Sequence, residues 1–79
     1  MINQVLLKGV VVEIYEESMD IKVEGLESPV HICDVFNISY ILLNNIVAIK
    51  GHLEISNNGI LFVACDNCII LDGRGIKND

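Results

Sequence analysis

Seventy-nine residues are enough for one domain, and a domain this small buries only roughly 60% of the surface that its unfolded chain exposes. Eleven acidic side chains against five Lys and Arg give a net charge of −6, which lowers the affinity expected for any phosphate-rich partner. Hydrophobic residues make up 52% of the chain, yet Asn44 and Asn45 break its longest apolar stretch well short of the ~20 residues of a membrane-spanning helix, so a partner subunit is the expected cover for the excess apolar surface.

The first predicted element is a strand over 4–14. Val5, Leu7, Gly9 and Val11 share one face, and Leu6, Lys8, Val10, Val12 and Ile14 share the other. Both faces are largely apolar, which a sheet with one wet side does not need. After the polar turn at Tyr15 to Ser18, the alternation of Met19 to Glu24 predicts a half-buried second strand. Gly25 to Pro29 turns the chain into a short third strand, Val30 to Cys33, with Val30 and Ile32 on one face. The stretch from Asp34 to Asn45 reads as a short helical or irregular link. Asn37 or Ser39 would cap a helix through Leu43, and Asn44-Asn45 would end it. Two β-branched runs, Ile46 to Ile55 and Ile60 to Leu71, flank Ser56-Asn57-Asn58-Gly59, and an Asn-Gly turn between such runs predicts a hairpin. Gly9 and Gly51 inside strand patterns suit bulges or tight bends. Gly73 to Asp79 reads as a flexible tail. Three strands, a link and two strands is the plan of an OB-fold, a five-stranded Greek-key barrel. Periodicity alone also fits another small all-β barrel, such as an SH3-like fold.

Cys65-Asp66-Asn67-Cys68 is a CxxC with no second pair to complete a zinc site; Cys33, His31 and His52 are the only other soft donors. Both of its cysteines read as small core or near-core residues, and no metal or cofactor is expected. His31 and Cys33 fall on one strand face, but nothing supplies an orienting group or an oxyanion hole. No phosphate loop, nucleophile elbow or carboxylate pair appears, so no enzymatic activity is expected. The opening residues lack a charged region followed by an apolar one, so no signal peptide is expected, and three cysteines in such a chain point to reduced thiols in the cytoplasm.

Three fragments carry a family resemblance. Val47-x-Ile49-x-Gly51-x-Leu53 looks like the V-x-V-x-G-x-L strand of bacterial single-stranded-DNA-binding proteins. Val63 to Leu71 looks like that family's last core strand, an apolar run, then Asp-Asn, then a second apolar run. Met1-Ile2-Asn3-Gln4-Val5, followed by Gly9, is similar to its first strand. Primosomal replication protein N offers the same minimal domain. The fragments cover about half the chain in the right order. The resemblance implies an OB-fold domain over residues 1–72, pairing of subunits through first strands, and binding of single strands. Tight loops, the lack of Trp and the lack of an acidic C-terminal peptide are departures from the family.

Two functions follow as expectations. The first is a small accessory protein that binds single-stranded nucleic acid weakly, with Lys8, Lys50 and His52 on phosphates and Tyr15, Phe36 or Phe62 stacking on bases. The second is an acidic OB-fold adaptor or oligomeric subunit that binds protein partners instead. In either case a homodimer or tetramer is expected, joined through a second apolar row on the first strand: Leu6, Val10, Val12 and Ile14.

Overall fold

The computed structural model describes residues 3–72; Met1 and Ile2 of the opening motif, and the tail expected over 73–79, lie outside the described residues. Strands β1 (Val5–Ile14), β2 (Met19–Lys22), β3 (Val30–Cys33), β4 (Ile46–Ile55) and β5 (Leu61–Asp72) close a barrel in the order β1-β2-β3-β5-β4. β3 runs parallel to β5 and every other pairing is antiparallel. The architecture is all-β, a five-stranded barrel of the OB type, with a single 3-10 turn, Ile38–Tyr40, in the link between β3 and β4. Among the described residues no helix is long and apolar enough to cross a membrane.

Strand alternation builds the core. Val11, Met19, Ile21, Ile32, Val47, Ile49 and Val63 point inward and are buried, with Val35 and Ile41 of the link closing the barrel. Each such aliphatic side chain contributes roughly 1.5–3 kcal/mol on full burial. Cys65 belongs to this cluster and Cys68 packs against it, so both behave as small apolar residues.

β1 serves two neighbours. Residues Val5 to Val10 pair with β4, and Val10 to Ile14 pair with β2. The switch is made at a bulge, where Val11 opposes Ile21 but Glu13 opposes Asp20, leaving Val12 as the extra residue. The bulge reverses the alternation beyond it. Ile14, expected in the outer row, therefore turns inward and packs against the core, while Leu6, Val10 and Val12 stay exposed. The outer row is also interrupted by exposed Lys8, which shares the face of Leu6 and Val10.

The expected link helix shrinks to one turn. Asn37 precedes it without capping it and instead donates from its amide to the Cys68 carbonyl at 3.3 Å. Asn44 and Asn45 do end the link, by stitching it to β1: the Asn44 N–H donates to the Val11 carbonyl and the Val11 N–H to the Asn45 carbonyl. Asn44 adopts φ 70°, a left-handed conformation that Asn tolerates better than most residues. The buried Asn45 side chain accepts from the Leu42 N–H at 2.8 Å, fixing the turn. β2 is shorter than expected, ending at Lys22, because the chain turns at Val23, whose carbonyl accepts from the Leu26 N–H.

The β4–β5 hairpin forms as expected. Its turn closes with the Gly59 N–H on the Ser56 carbonyl, and Gly59 takes φ 78°. Beyond Gly51, β4 has no strand partner except β5. There the Asn3 side chain substitutes for a ladder, with its amide donating to the Leu53 carbonyl and accepting from the Leu53 N–H.

Candidate nucleic-acid interface

The six candidate side chains fall on two surfaces. On β1 and β4, Lys8 pairs across from Ala48, and Leu6 across from Lys50; on β4 and β5, Ala48 faces Ile69 and Lys50 faces Asn67. These outward residues line a groove of about 370 Å³ whose floor is apolar and whose polar groups are Lys8, Lys50 and Asn67. Asn67 also lines a second groove, of about 260 Å³, with Phe36, Asn37, Cys65, Asp66 and Cys68. The two grooves share Asn67, so Phe36 lies on one side of it and Lys50 and Lys8 on the other, a track made of two adjoining grooves. Phe36 is 91% exposed, and Tyr40, across the 3-10 turn, is 77% exposed. Largely exposed aromatics of this kind offer π-faces to solvent. Asp66 is the one carboxylate lining the track, and Glu16, Glu17 and Asp34 border the other side of Phe36.

The structure does not bring Tyr15 and Phe62 to that track; His52 follows Lys50 on the outward face of β4 and reaches Asp66 at the track's border. Tyr15 and Phe62 lie on the outer side of β2, β3 and the hairpin end of β4 and β5, among carboxylates. The Tyr15 hydroxyl donates to Asp20 Oδ2 at 2.8 Å, and its ring tilts against His31 at 5.5 Å between centroids. His31 Nδ1 meets Asp20 Oδ1 at 2.6 Å. The hydrogen bond to Asp20 pushes the Tyr15 hydroxyl up, helped by desolvation and by the charges of Asp20 and Glu13. At Asp20 partial burial works to raise the carboxyl, but hydrogen bonds from His31 and Tyr15 outweigh it and hold the group below its ordinary value. Phe62 is half-buried, opposite Glu54.

His52 sits between two carboxylates, Nδ1 to Asp66 Oδ2 at 3.0 Å and Nε2 to Glu54 Oε2 at 2.6 Å. Both ring nitrogens are engaged, which leaves none for a phosphate. The hydrogen bonds to Asp66 and then Glu54 raise its pKa above 6.5, against a smaller desolvation effect. A raised folded-state pKa stabilises the fold fully below the unfolded value and loses that contribution as pH rises through the folded value. Melting temperatures of wild type and His52→Gln should therefore differ most near pH 6 and converge toward pH 9. A gap that widens with pH would contradict the pairing.

Asp66 reaches His52 because it is itself a bulge. Lys50 opposes Asn67, but Gly51 opposes Cys65. Burial pushes all three thiols up. For Cys33 the charges of Asp34, Glu54 and Asp20 add to the effect, for Cys65 that of Asp66 adds, and Cys68 reaches about 11 through burial and the neighbouring Cys65. Thiols so placed are poor nucleophiles. Among the described residues no group of three or more His, Cys, Asp and Glu side chains is arranged to hold a metal ion.

Comparison with protein-family models and with curated proteins gives no match for this chain.

Proposed function

We propose that the chain is a small cytoplasmic accessory protein that binds single-stranded nucleic acid weakly, and not an enzyme. The observation that carries this reading is the track from exposed Phe36 through Asn67 to Lys50 and Lys8. It combines a free aromatic platform, an amide and two cations on an OB barrel, the ingredients by which such barrels hold single strands. The strand motifs that resemble bacterial single-stranded-DNA-binding proteins support it independently.

Phe36→Ala tests it. One stacked base is worth about 1–3 kcal/mol, so the substitution should weaken binding of labelled oligo-dT roughly tenfold or more. An exposed side chain contributes little to folding, so the melting temperature should hold. Tyr40 fluorescence should be quenched by the oligonucleotide, and Tyr15, held on Asp20, should respond less. Unchanged affinity in Phe36→Ala would remove the track from consideration.

A second reading, the acidic adaptor that binds protein partners, is favoured by a different observation. The face of β2 and β3, which OB-folds use for oligonucleotides, here carries Asp20 with Glu54 and Asp66 beyond it. Its two imidazoles are already paired to those carboxylates, so the face repels phosphate.

A further inference from the structure

His52 stands between two carboxylates in a geometry that only its protonated form satisfies. Its Nδ1 meets Asp66 Oδ2 at 3.0 Å and its Nε2 meets Glu54 Oε2 at 2.6 Å. An imidazolium carries an N–H on both nitrogens, whereas a neutral imidazole carries one and turns a lone pair to the other carboxylate. Loss of the proton therefore removes a positive charge and one of the two hydrogen bonds. Asp66 is the carboxylate that lines the track, one residue from Asn67, and Asn67 faces Lys50. Phosphates passing from Lys50 toward Phe36 run beside it. Lys50 and Glu54 flank His52 on one face of β4, and Asp66 reaches it from β5. β3 meets β5 at Ala64, opposite His52, and brings the Cys33 thiol. Burial, then the charges of Asp34, Glu54 and Asp20, push that thiol up, so it stays protonated while His52 titrates. Lys8 of β1 stands further along, opposite Ala48.

We propose that His52 is a proton switch on the track: protonated, it neutralises Asp66 and admits phosphates, and neutral, it leaves the Asp66 charge against them. This rests on the reading of the track as a single-strand interface and names how that interface is regulated. With the proton, one positive charge stands among two carboxylates; without it, the two carboxylates stand alone. His52 acts through Asp66 and is a positioning residue. The hydrogen bonds to Asp66 and Glu54 that raise its pKa above 6.5 place the changeover above that pH. At low salt, one unit charge about 5–10 Å from a phosphate changes affinity about two- to fourfold at the dielectric of water. By linkage, a bound strand raises the His52 pKa in return.

Anisotropy titrations of labelled oligo-dT at low salt, from about pH 6 to about pH 9, test the switch. Wild-type affinity should fall by about two- to fourfold across the range. His52→Gln should bind at the wild-type high-pH level throughout, and His52→Lys, which keeps the positive charge, at the low-pH level throughout. Asp66→Asn at high pH should match wild type at low pH, because each has one negative charge in excess at this cluster. His31→Gln, at the imidazole held by Asp20, should keep the wild-type fall. Circular dichroism checks that each variant is folded. In wild type, the His52 ring resonances should titrate at higher pH once oligo-dT is added, a reading that needs no variant. Binding of equal strength at both ends of the range overturns the switch and leaves the track standing, as does a fall that survives in His52→Gln or is lost in His31→Gln. A His52 titration unmoved by bound oligonucleotide overturns it too. No binding at any pH overturns the single-strand reading, and the switch with it.

Discussion

If the proposed single-strand binding holds, replacing Lys8 and Lys50 together by glutamate should abolish it and leave the barrel folded. The two ammonium groups are the cations of the track. A charge-assisted hydrogen bond is worth about 1.5–3 kcal/mol, so losing two weakens binding at least ~100-fold before repulsion is counted. Each substitution removes one positive charge and adds one negative, which takes the net charge from −6 to −10. Both side chains are exposed, and surface changes of this kind usually stay within about 0.5 kcal/mol of wild-type stability. Fluorescence anisotropy with labelled oligo-dT reads the loss, and a circular dichroism melt reads the fold. A double variant that still binds as wild type would place the phosphates elsewhere.

The largest effect on stability belongs to Gly51→Ala. A Cβ at Gly51 would collide with the Ala64 carbonyl oxygen and stand 3.0 Å from Val63 Cγ1. The first contact is backbone, so no rotamer relieves it. β4 and β5 would have to separate at the bulge that positions Asp66 and Cys65. Overpacking of a core costs about 1–3 kcal/mol, and displacing a ladder costs more. A chain of this length has about 4–12 kcal/mol in total. Gly51→Ala should therefore lower the melting temperature by more than ~10 °C and leave part of the protein unfolded at 37 °C. Gly9→Ala, with its Cβ 2.6 Å from the Lys22 carbonyl oxygen, should behave in the same way. A Gly51→Ala protein that melts within a few degrees of wild type would contradict the close approach of the two strands.

The parts of this fold that were legible from sequence are those whose signal is local. β4, its turn and β5 follow from β-branched alternation around Asn58-Gly59, because both the pattern and the φ of Gly59 are local. Ile14 was misassigned because a bulge consumes a residue and flips every side chain after it. One signal was present. Unbroken alternation would set Glu13 on the core face with Val11, and a buried carboxylate without a partner is costly enough to require a break before it. The pairing of His52 with Glu54 was readable as two residues on one strand face. Its pairing with Asp66 was not, because it depends on the second bulge and on the register of two strands. Exposure of Phe36 and Tyr40 had no sequence signal at all, since the link lacks periodicity and its single turn is set by contacts to β1 and β5. Asn67 was missed for the same reason as Asp66: it becomes part of the track only when β5 lies beside β4.

The most direct measurement is a titration of fluorescent oligo-dT at low and at moderate salt. For single strands each neutralised phosphate contributes about −0.7 to the slope of log K against log salt, so a track with few cations should give weak binding and a slope magnitude of about 2 to 3, with little binding to duplex. The absence of binding to any oligonucleotide at low salt would contradict single-strand binding and leave the acidic adaptor as the function of this barrel.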